Sequence, residues 1–338
     1  MVIDRTRKRL VLTLAGMVCL ALVGSILTRS YIRYNEARKQ RQQQEALFRA
    51  ETLLNAGKYR DAVPIYQDLL LRLTPEKTPV LYGDIQRKLA TCHLTLAQSE
   101  DAATHLKAGA MALEKALGIV DAATAEYAKL QQDLGAAYSK LALFRNPGEN
   151  YPRAIRANQE ALKTYTLKHH PDTYARLHKA IGMAYRNLAE VTDSRENLAR
   201  AKGAFEAALT VYTLNYDPFE HGVAQNNIGA ILMSLAAGDE QEIYLKTAVH
   251  AFEAARTGFN PKVYPFDYAL AMNNMGLVYN NLSVVTKSDK YLDLAINAFQ
   301  AARETIPPES HLKFQRIIQA NLDQALARRE QMSLQNSH

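Results

Sequence analysis

Four glycines, Gly135, Gly182, Gly229 and Gly276, follow one another at a step of 47 residues. The same step links Ala154, Ala201, Ala248 and Ala295, then Ala161, Ala208, Ala255 and Ala302, then Leu141, Leu188, Leu235 and Leu282. Columns that keep one residue type through four copies mark a supersecondary unit repeated along the chain and stacked on itself. Such an array grows by copying, so its length does not divide into conventional closed cores. The 338 residues are 48% apolar and 22% charged, an ordinary balance for a folded chain.

The formal charge of +7 is not spread over the array. Residues 1–44 hold nine Lys/Arg (Arg5, Arg7, Lys8, Arg9, Arg29, Arg33, Arg38, Lys39 and Arg41) against Asp4 and Glu36, and the remainder is balanced. The excess flanks an uncharged segment, LVLTLAGMVCLALVGSIL, from Leu10 to Leu27. As a helix it would span roughly 27 Å, close to the hydrocarbon thickness of a bilayer. The reading is a basic tail (1–9), a transmembrane helix (10–28) and a polar linker (29–44), with a cleaved secretory signal as the rival for the apolar part. Basic residues beside such a segment are membrane flanks, and no nucleic-acid partner is expected. They stand on both sides, so orientation rests on the basic tail staying in the cytoplasm. That places the body outside a bacterial inner membrane; a cytoplasm-facing body is the alternative. Cys19 and Cys92 are the two cysteines. They suit neither a disulfide nor a metal site.

From Glu45 to Thr74 the chain reads EALFRAETLLNAGKYRDAVPIYQDLLLRLT. Ala50 and Ala62 are small where two helices would cross, and Tyr66 would fill the gap they leave. Gly57, Tyr59, Ala62, Tyr66 and Leu69 stand where the tetratricopeptide repeat family carries its helix-turn-helix signature, and the segment resembles that family. A weaker copy spans Tyr82 to Gly118, with Ala90, Ala102, Leu106 and Gly109 at the key spacings and Ser99 as the expected N-cap of its second helix. Glu100 and Asp101 would give that helix an acidic first turn.

Three of the four long copies keep the family's Ala-x3-Phe-x2-Ala spacing on their second helices: Ala201-Phe205-Ala208, Ala248-Phe252-Ala255 and Ala295-Phe299-Ala302. The first long copy departs, with Asn158 in the Phe position. Glycine to first alanine is 19 residues here, where the family has 12, so turns or helix ends are longer. In this the chain is similar to bacterial long-loop variants and to the repeats of kinesin light chains. The extra residues carry turn chemistry. Arg145-Asn146-Pro147-Gly148, Thr192-Asp193-Ser194, Ala237-Gly238-Asp239 and Lys287-Ser288-Asp289 fall within pairs. His170-Pro171-Asp172, Asp217-Pro218 and Tyr264-Pro265-Phe266 fall between pairs, where proline is expected to stop the preceding helix. Pro307-Pro308 ends the last pair. Ser310 is expected to cap a closing helix with one polar face, and Asn336, Ser337 and His338 to fray.

The expected fold is therefore all-α: a tetratricopeptide-type α-solenoid of about six helix pairs (45–78, 79–120, 124–170, 171–217, 218–264 and 265–306) plus a C-terminal capping helix (308–332), preceded by one transmembrane helix.

Phosphate-loop, dinucleotide-binding, nucleophile-elbow and zincin motifs are missing from the sequence, so no enzyme activity or cofactor is expected. His169-His170 has Asp172 alone as a nearby third ligand, and no metal is expected there. Tyr165, Tyr212 and Phe259 repeat at the same step and read as core. The better functional signal is polar. Three residues before each glycine stand Gln132, Lys179, Asn226 and Asn273; two before stand Asp133, Ala180, Asn227 and Asn274. Four and five after stand Ser139-Lys140, Arg186-Asn187, Met233-Ser234 and Asn280-Asn281. In the tetratricopeptide family the first helices line a concave side that holds peptides. The resemblance thus implies a partner-binding face using Gln132, Lys179, Arg186, Asn187, Asn226, Asn273 and Asn280. Asn amides would grip peptide backbone, and Lys179 and Arg186 a carboxylate. Adjacent Asn residues lie about 100° apart on a helix, so one of each Asn-Asn pair is expected to be structural. The expected function is a membrane-anchored scaffold that binds a protein or peptide segment and helps assemble a membrane or envelope complex. The alternative is a structural subunit docking through outer faces or by self-association.

Overall fold

Proline and short polar side chains set where helices begin. The computed structural model describes residues 2–99, 101–192, 195–307 and 309–336, with side chains at Met17 and, within those spans, over 22–333. Among these, thirteen α-helices and one short 3₁₀ turn account for the regular structure, and there is no strand. α1 spans Val2–Asn55, α2 Tyr59–Arg72, α3 Pro79–Leu96, α4 Ala102–Leu117, α5 Ala125–Ala142 and α6 Pro147–Leu162. α7 spans Pro171–Thr192, α8 Arg195–Leu209, α9 Pro218–Leu235, α10 Gln241–Gly258, α11 Pro265–Thr286, α12 Asp289–Thr305 and α13 Leu312–Asn336.

Pro171, Pro218 and Pro265 are the first residues of α7, α9 and α11. They open the following helix rather than merely stopping the one before, because the first helical position needs no N–H and favours the ring's fixed φ. Two expected caps are corrected. α4 is capped by Asp101, not Ser99. The Asp101 carboxylate accepts from the Thr104 backbone N–H at 3.3 Å and from its hydroxyl at 2.7 Å, and these bonds hold the Asp101 carboxyl below its ordinary range. The Ser99 hydroxyl instead donates back to the Leu96 carbonyl. The Ser310 hydroxyl likewise donates to the Pro307 carbonyl at 3.0 Å, and α13 starts two residues later. The turn at Asp193-Ser194, Glu100, Pro308 and the end at Ser337-His338 lie outside the described residues.

The chain divides into two compact units, Met1–Glu100 and Asp101–His338. The division falls inside the stretch 79–120. In the first unit α2 packs against α1 and α3. Ala50, Ala62 and Tyr66 are fully buried there, as the crossing of two close helices requires. α1 runs without interruption through 29–44 into this packing. The proposed membrane helix, 10–28, lies within α1, but its side chains at 10–16 and 18–21 lie outside the described residues. Among the described residues no helix is long and apolar enough to cross a membrane. Leu22, Val23, Ile26 and Leu27 are all exposed. Cys19 also lies outside the described side chains; Cys92 is buried and free.

In the second unit each helix packs on the next in sequence from α4 to α13. First helices of successive pairs also touch: α5 with α7, α9 with α11, and α11 with α13. This is a tetratricopeptide-like stack of helix hairpins. Its repeating contact is a ring set on a glycine. Phe205, Phe252 and Phe299 are buried on α8, α10 and α12 and lie against Gly182, Gly229 and Gly276 of α7, α9 and α11. A Cβ at Gly276 would stand 2.5 Å from the Phe299 ring. All eight alanines of the two repeated columns are wholly buried, because any larger side chain would push the crossing helices apart. Asn158 takes the ring's place against Gly135, where a Cβ would lie 2.6 Å from its Oδ1. It is buried, with its Nδ2 unpartnered. The crossing therefore survives the Phe-to-Asn departure but keeps an unsatisfied amide.

α13 begins 47 residues after α11 and repeats a first helix. Ile318, Leu322 and Ala325 are buried on it. The glycine column continues to Asp323, which is exposed and accepts from Gln319 at 2.8 Å. Asp323 thus carries a side chain where the other first helices present bare backbone, and the ring seat is not repeated on α13.

Two outcomes follow from this packing. Gly276→Ala gains helix propensity of about 1 kcal/mol but meets Phe299, and should lose roughly 1–2 kcal/mol net. Gly203→Ala, within α8 and with open space around its Cβ, should instead gain up to about 1 kcal/mol; urea denaturation of the two variants checks the pair. Burial pushes the Cys92 thiol up to about 11 from 9.0. The folded state thus holds the proton that the unfolded state gives up first, and stability should fall as pH rises through about 9. Cys92 should resist iodoacetamide at pH 8 until denaturant is added.

Candidate protein-binding surface

The polar columns of the first helices do not stand free. They meet one another across successive pairs. The Asn274 amide donates to Asn226 Oδ1 at 3.1 Å, and the Asn321 amide to Asn273 Oδ1 at 2.9 Å. Both bonds span 48 residues: a residue three before the glycine column accepts from the residue two before it in the next copy. An Arg328 nitrogen stands 3.5 Å from Asn280 Oδ1 with the same separation. Nearer the N-terminal side the bonds span 41 residues. Lys179 donates to both carboxylate oxygens of Glu220 at 2.5 and 2.6 Å, and Arg186 to Asn227 Oδ1 at 2.5 Å. A ladder of polar rungs therefore ties α7 to α9, α9 to α11 and α11 to α13.

This places each predicted residue. Asn273 is 3% exposed, with its acceptor used by Asn321, so no partner segment reaches it. It belongs to the ladder, which corrects its assignment to the binding face. Of the other pair, Asn227 is the buried member; it accepts from Arg186 and donates to the Val223 carbonyl at 2.8 Å. One Asn of each pair is thus interior, at opposite positions of the two pairs. The carboxylate that Lys179 holds is the chain's own Glu220, and both side chains are about four-fifths buried. Asn187 donates to the Tyr151 hydroxyl at 3.2 Å and faces Arg186 at 3.4 Å. Asn226 and Asn280 are half-buried, each with an acceptor engaged. Gln132 is half-buried on α5 beside Gln131, which donates to Tyr127 at 2.9 Å. Of the aromatic column, Tyr212 and Phe259 are buried, and burial pushes the Tyr212 hydroxyl up to about 12. At the His169-His170 loop, the His170 ring meets Tyr165 edge-on at 5.3 Å.

A groove remains between α7 and α9, over α8. It holds about 420 Å³ and is lined by Arg186, Ala189, Glu190, Leu198, Ala230, Ile231 and Ser234. Its floor is apolar and small, and Glu190 and Ser234 are exposed at its edges. Arg186 lines this groove, its terminal nitrogens held by Asn227 and Asn187 and its Nε buried without a hydrogen-bond partner. A second recess of similar volume lies among α4, α5 and α6. In it the Tyr138 hydroxyl donates to Glu114 at 2.5 Å and accepts from Arg153 at 3.3 Å. Burial and the Glu114 carboxylate raise the Tyr138 hydroxyl above its ordinary value.

Sequence reasoning missed Glu220, Tyr151, Asn321 and the apolar lining of the groove. Asn321 was within reach, since it continues the column Asn227, Asn274 by one more step of 47. Glu220 was not, because its bond skips the repeat period.

No family model matches the chain, and no curated protein matches it in sequence. Solved structures do align with it. The Pseudomonas aeruginosa pilF protein is 15% identical over 81% of this chain and 96% of its own, with a TM-score of 0.43. The MamA protein is 16% identical over 67% and 95%, with a TM-score of 0.42. A tetratricopeptide repeat protein from Parabacteroides merdae is 12% identical over 84% and 98%, with a TM-score of 0.38. The fold assignment rests on the helices and contacts described above.

The ladder has a measurable strength. Asn273→Ala strands the Asn321 amide and should cost about 1–3 kcal/mol. A double-mutant cycle on Asn226 and Asn274 should return a coupling of about 0.5–1.5 kcal/mol.

Proposed function

We propose that this chain is a membrane-anchored scaffold whose first-helix face captures a segment of a partner protein, with no catalytic role. The observation that carries the reading is the groove of about 420 Å³ between α7 and α9, walled by small apolar side chains and Arg186. Small side chains at Ala189 and Ala230 leave room for a partner backbone to approach, and Arg186, Glu190 and Ser234 supply the polar part of the lining. The ladder on either side fixes the helix spacing in advance, which lowers the ordering cost of binding. The anchor is the uncharged stretch 10–27. Its support is that length, the basic flanks and the exposure of Leu22, Val23, Ile26 and Leu27, which a bilayer would cover. We place the body outside a bacterial inner membrane, where it would help assemble an envelope complex.

A second reading, docking through the outer helices, is favoured by Ile243, which is 67% exposed on α10. Photo-crosslinking separates the two. Benzoylphenylalanine at Ser234, in the groove, should yield a discrete partner adduct in intact membranes, whereas the same probe at Ile243 should not. Adducts from Ile243 alone would transfer the function to the outer face. Protease access to a C-terminal tag in sealed cells checks the orientation.

A further inference from the structure

The apolar turns of α1 before Arg29 have no polar side. Leu22, Val23, Ile26 and Leu27 are each more than half exposed. At about 100° per residue, Leu22 and Ile26 share one face, and Val23 and Leu27 the next one round. The remaining sector holds Gly24, Ser25 and Thr28. Its two hydroxyls turn back on the helix: Ser25 donates to the Leu22 carbonyl at 2.9 Å and Thr28 to the Gly24 carbonyl at 2.8 Å. A partner helix would need one apolar stripe, whereas hydrocarbon needs every side free of unmet polar groups. The character changes at the next residue. Arg29 and Arg33 lie about 40° apart on one side of α1, and Tyr31 and Tyr34 about 60° apart on the other. Both tyrosines are about two-thirds exposed, and both arginines are exposed as well. From Arg29 to Tyr34 the helix rises about 8 Å. The headgroup layer on each side of a bilayer is about 5–8 Å deep.

We propose that Arg29, Tyr31, Arg33 and Tyr34 form a belt that binds the headgroups of a phospholipid bilayer and sets how deep α1 sits. The inference rests on the anchor reading above and adds to it the lipid group bound, the residues that bind it and the depth. The Arg29 and Arg33 guanidinium groups donate to headgroup phosphates. The Tyr31 and Tyr34 rings lie against the outer ends of the acyl chains, with their hydroxyls toward water. Together the four side chains encircle the helix, as a lipid layer does, whereas a protein partner would meet one side of it. The depth is passed on to the body. No glycine or proline stands between Gly24 and Gly57, and α1 is unbroken to Asn55. The belt therefore fixes the distance from the bilayer to Ala50, which is buried where α1 packs with α2, about 24 Å beyond Tyr34 along the helix.

The chain contains no tryptophan, so a single introduced tryptophan reports its own depth. The full chain is reconstituted into vesicles of phosphatidylethanolamine and phosphatidylglycerol that carry a nitroxide on the headgroup or bromine deep in the acyl chain. Val23→Trp should lose most of its emission to the deep bromine. Tyr34→Trp should lose most of its emission to the headgroup nitroxide and little to the bromine. Phe48→Trp, about 21 Å beyond Tyr34, should be quenched by neither. Adding Arg29→Gln and Arg33→Gln to the Tyr34→Trp chain should let the helix sink, so that the deep bromine now quenches it. Absence of quenching in the Val23→Trp chain would sink the anchor reading itself. Quenching of Val23→Trp with none of Tyr34→Trp by the nitroxide would overturn the belt alone, as would an unchanged depth on loss of the two arginines.

Discussion

The contact on which the array depends is an aromatic ring seated on a bare backbone. At Gly182, Gly229 and Gly276 a missing Cβ lets Phe205, Phe252 and Phe299 lie directly against the first helix of the pair. Two alanines on the same second helix then bring the backbones together on either side of the ring. The ring is buried at each of these three crossings, and the glycine sets how deep it lies. Asn158 shows what the contact tolerates. Its shape fits against Gly135, and the cost appears as one unpaired amide rather than as a displaced helix.

Apolar seating within pairs does not by itself fix how one pair sits on the next. Here hydrogen bonds contribute, from Lys179 to Glu220, Arg186 to Asn227, Asn274 to Asn226 and Asn321 to Asn273. Directional bonds between half-buried amides tolerate little sliding, since a slip of one residue would leave several buried donors unpaired. The polarity of the first-helix face is therefore largely spent on the protein itself. What it leaves for a partner is narrower than the column of asparagines implies: a recess between α7 and α9 lined by small apolar side chains and Arg186.

The fold was legible because packing repeats. The Gly, Ala and Leu columns mark the same crossing in each long copy, and the Phe column marks it in three of the four. Proline was read in the right places but for a partial reason, since the same residue that ends one helix is preorganised to begin the next. Capping was less legible. Ser99 and Asp101 are both good caps in isolation, and only the backbone path decides that Asp101 faces the open N–H groups. The candidate site was hardest to see. Asparagine at a helical position has the same signature whether it binds a peptide, a neighbouring helix or water, and the partners of Asn226 and Asn273 lie 48 residues away. Grooves such as the one beside Arg186 are spaces between side chains, which no single column records.

The repeat length and the bonding pattern are commensurate in the C-terminal half of the stack. A block from α11 and α12 carries a glycine seat with its ring, an amide acceptor facing onward and an amide donor facing back. Duplicating such a block in frame ahead of α13 would therefore leave no half-made bond at either junction, with Asp323 still ending the series. Tandem duplication could lengthen this protein one hairpin at a time, each intermediate folding as it arose, and the number of copies is set by history rather than by closure of a core.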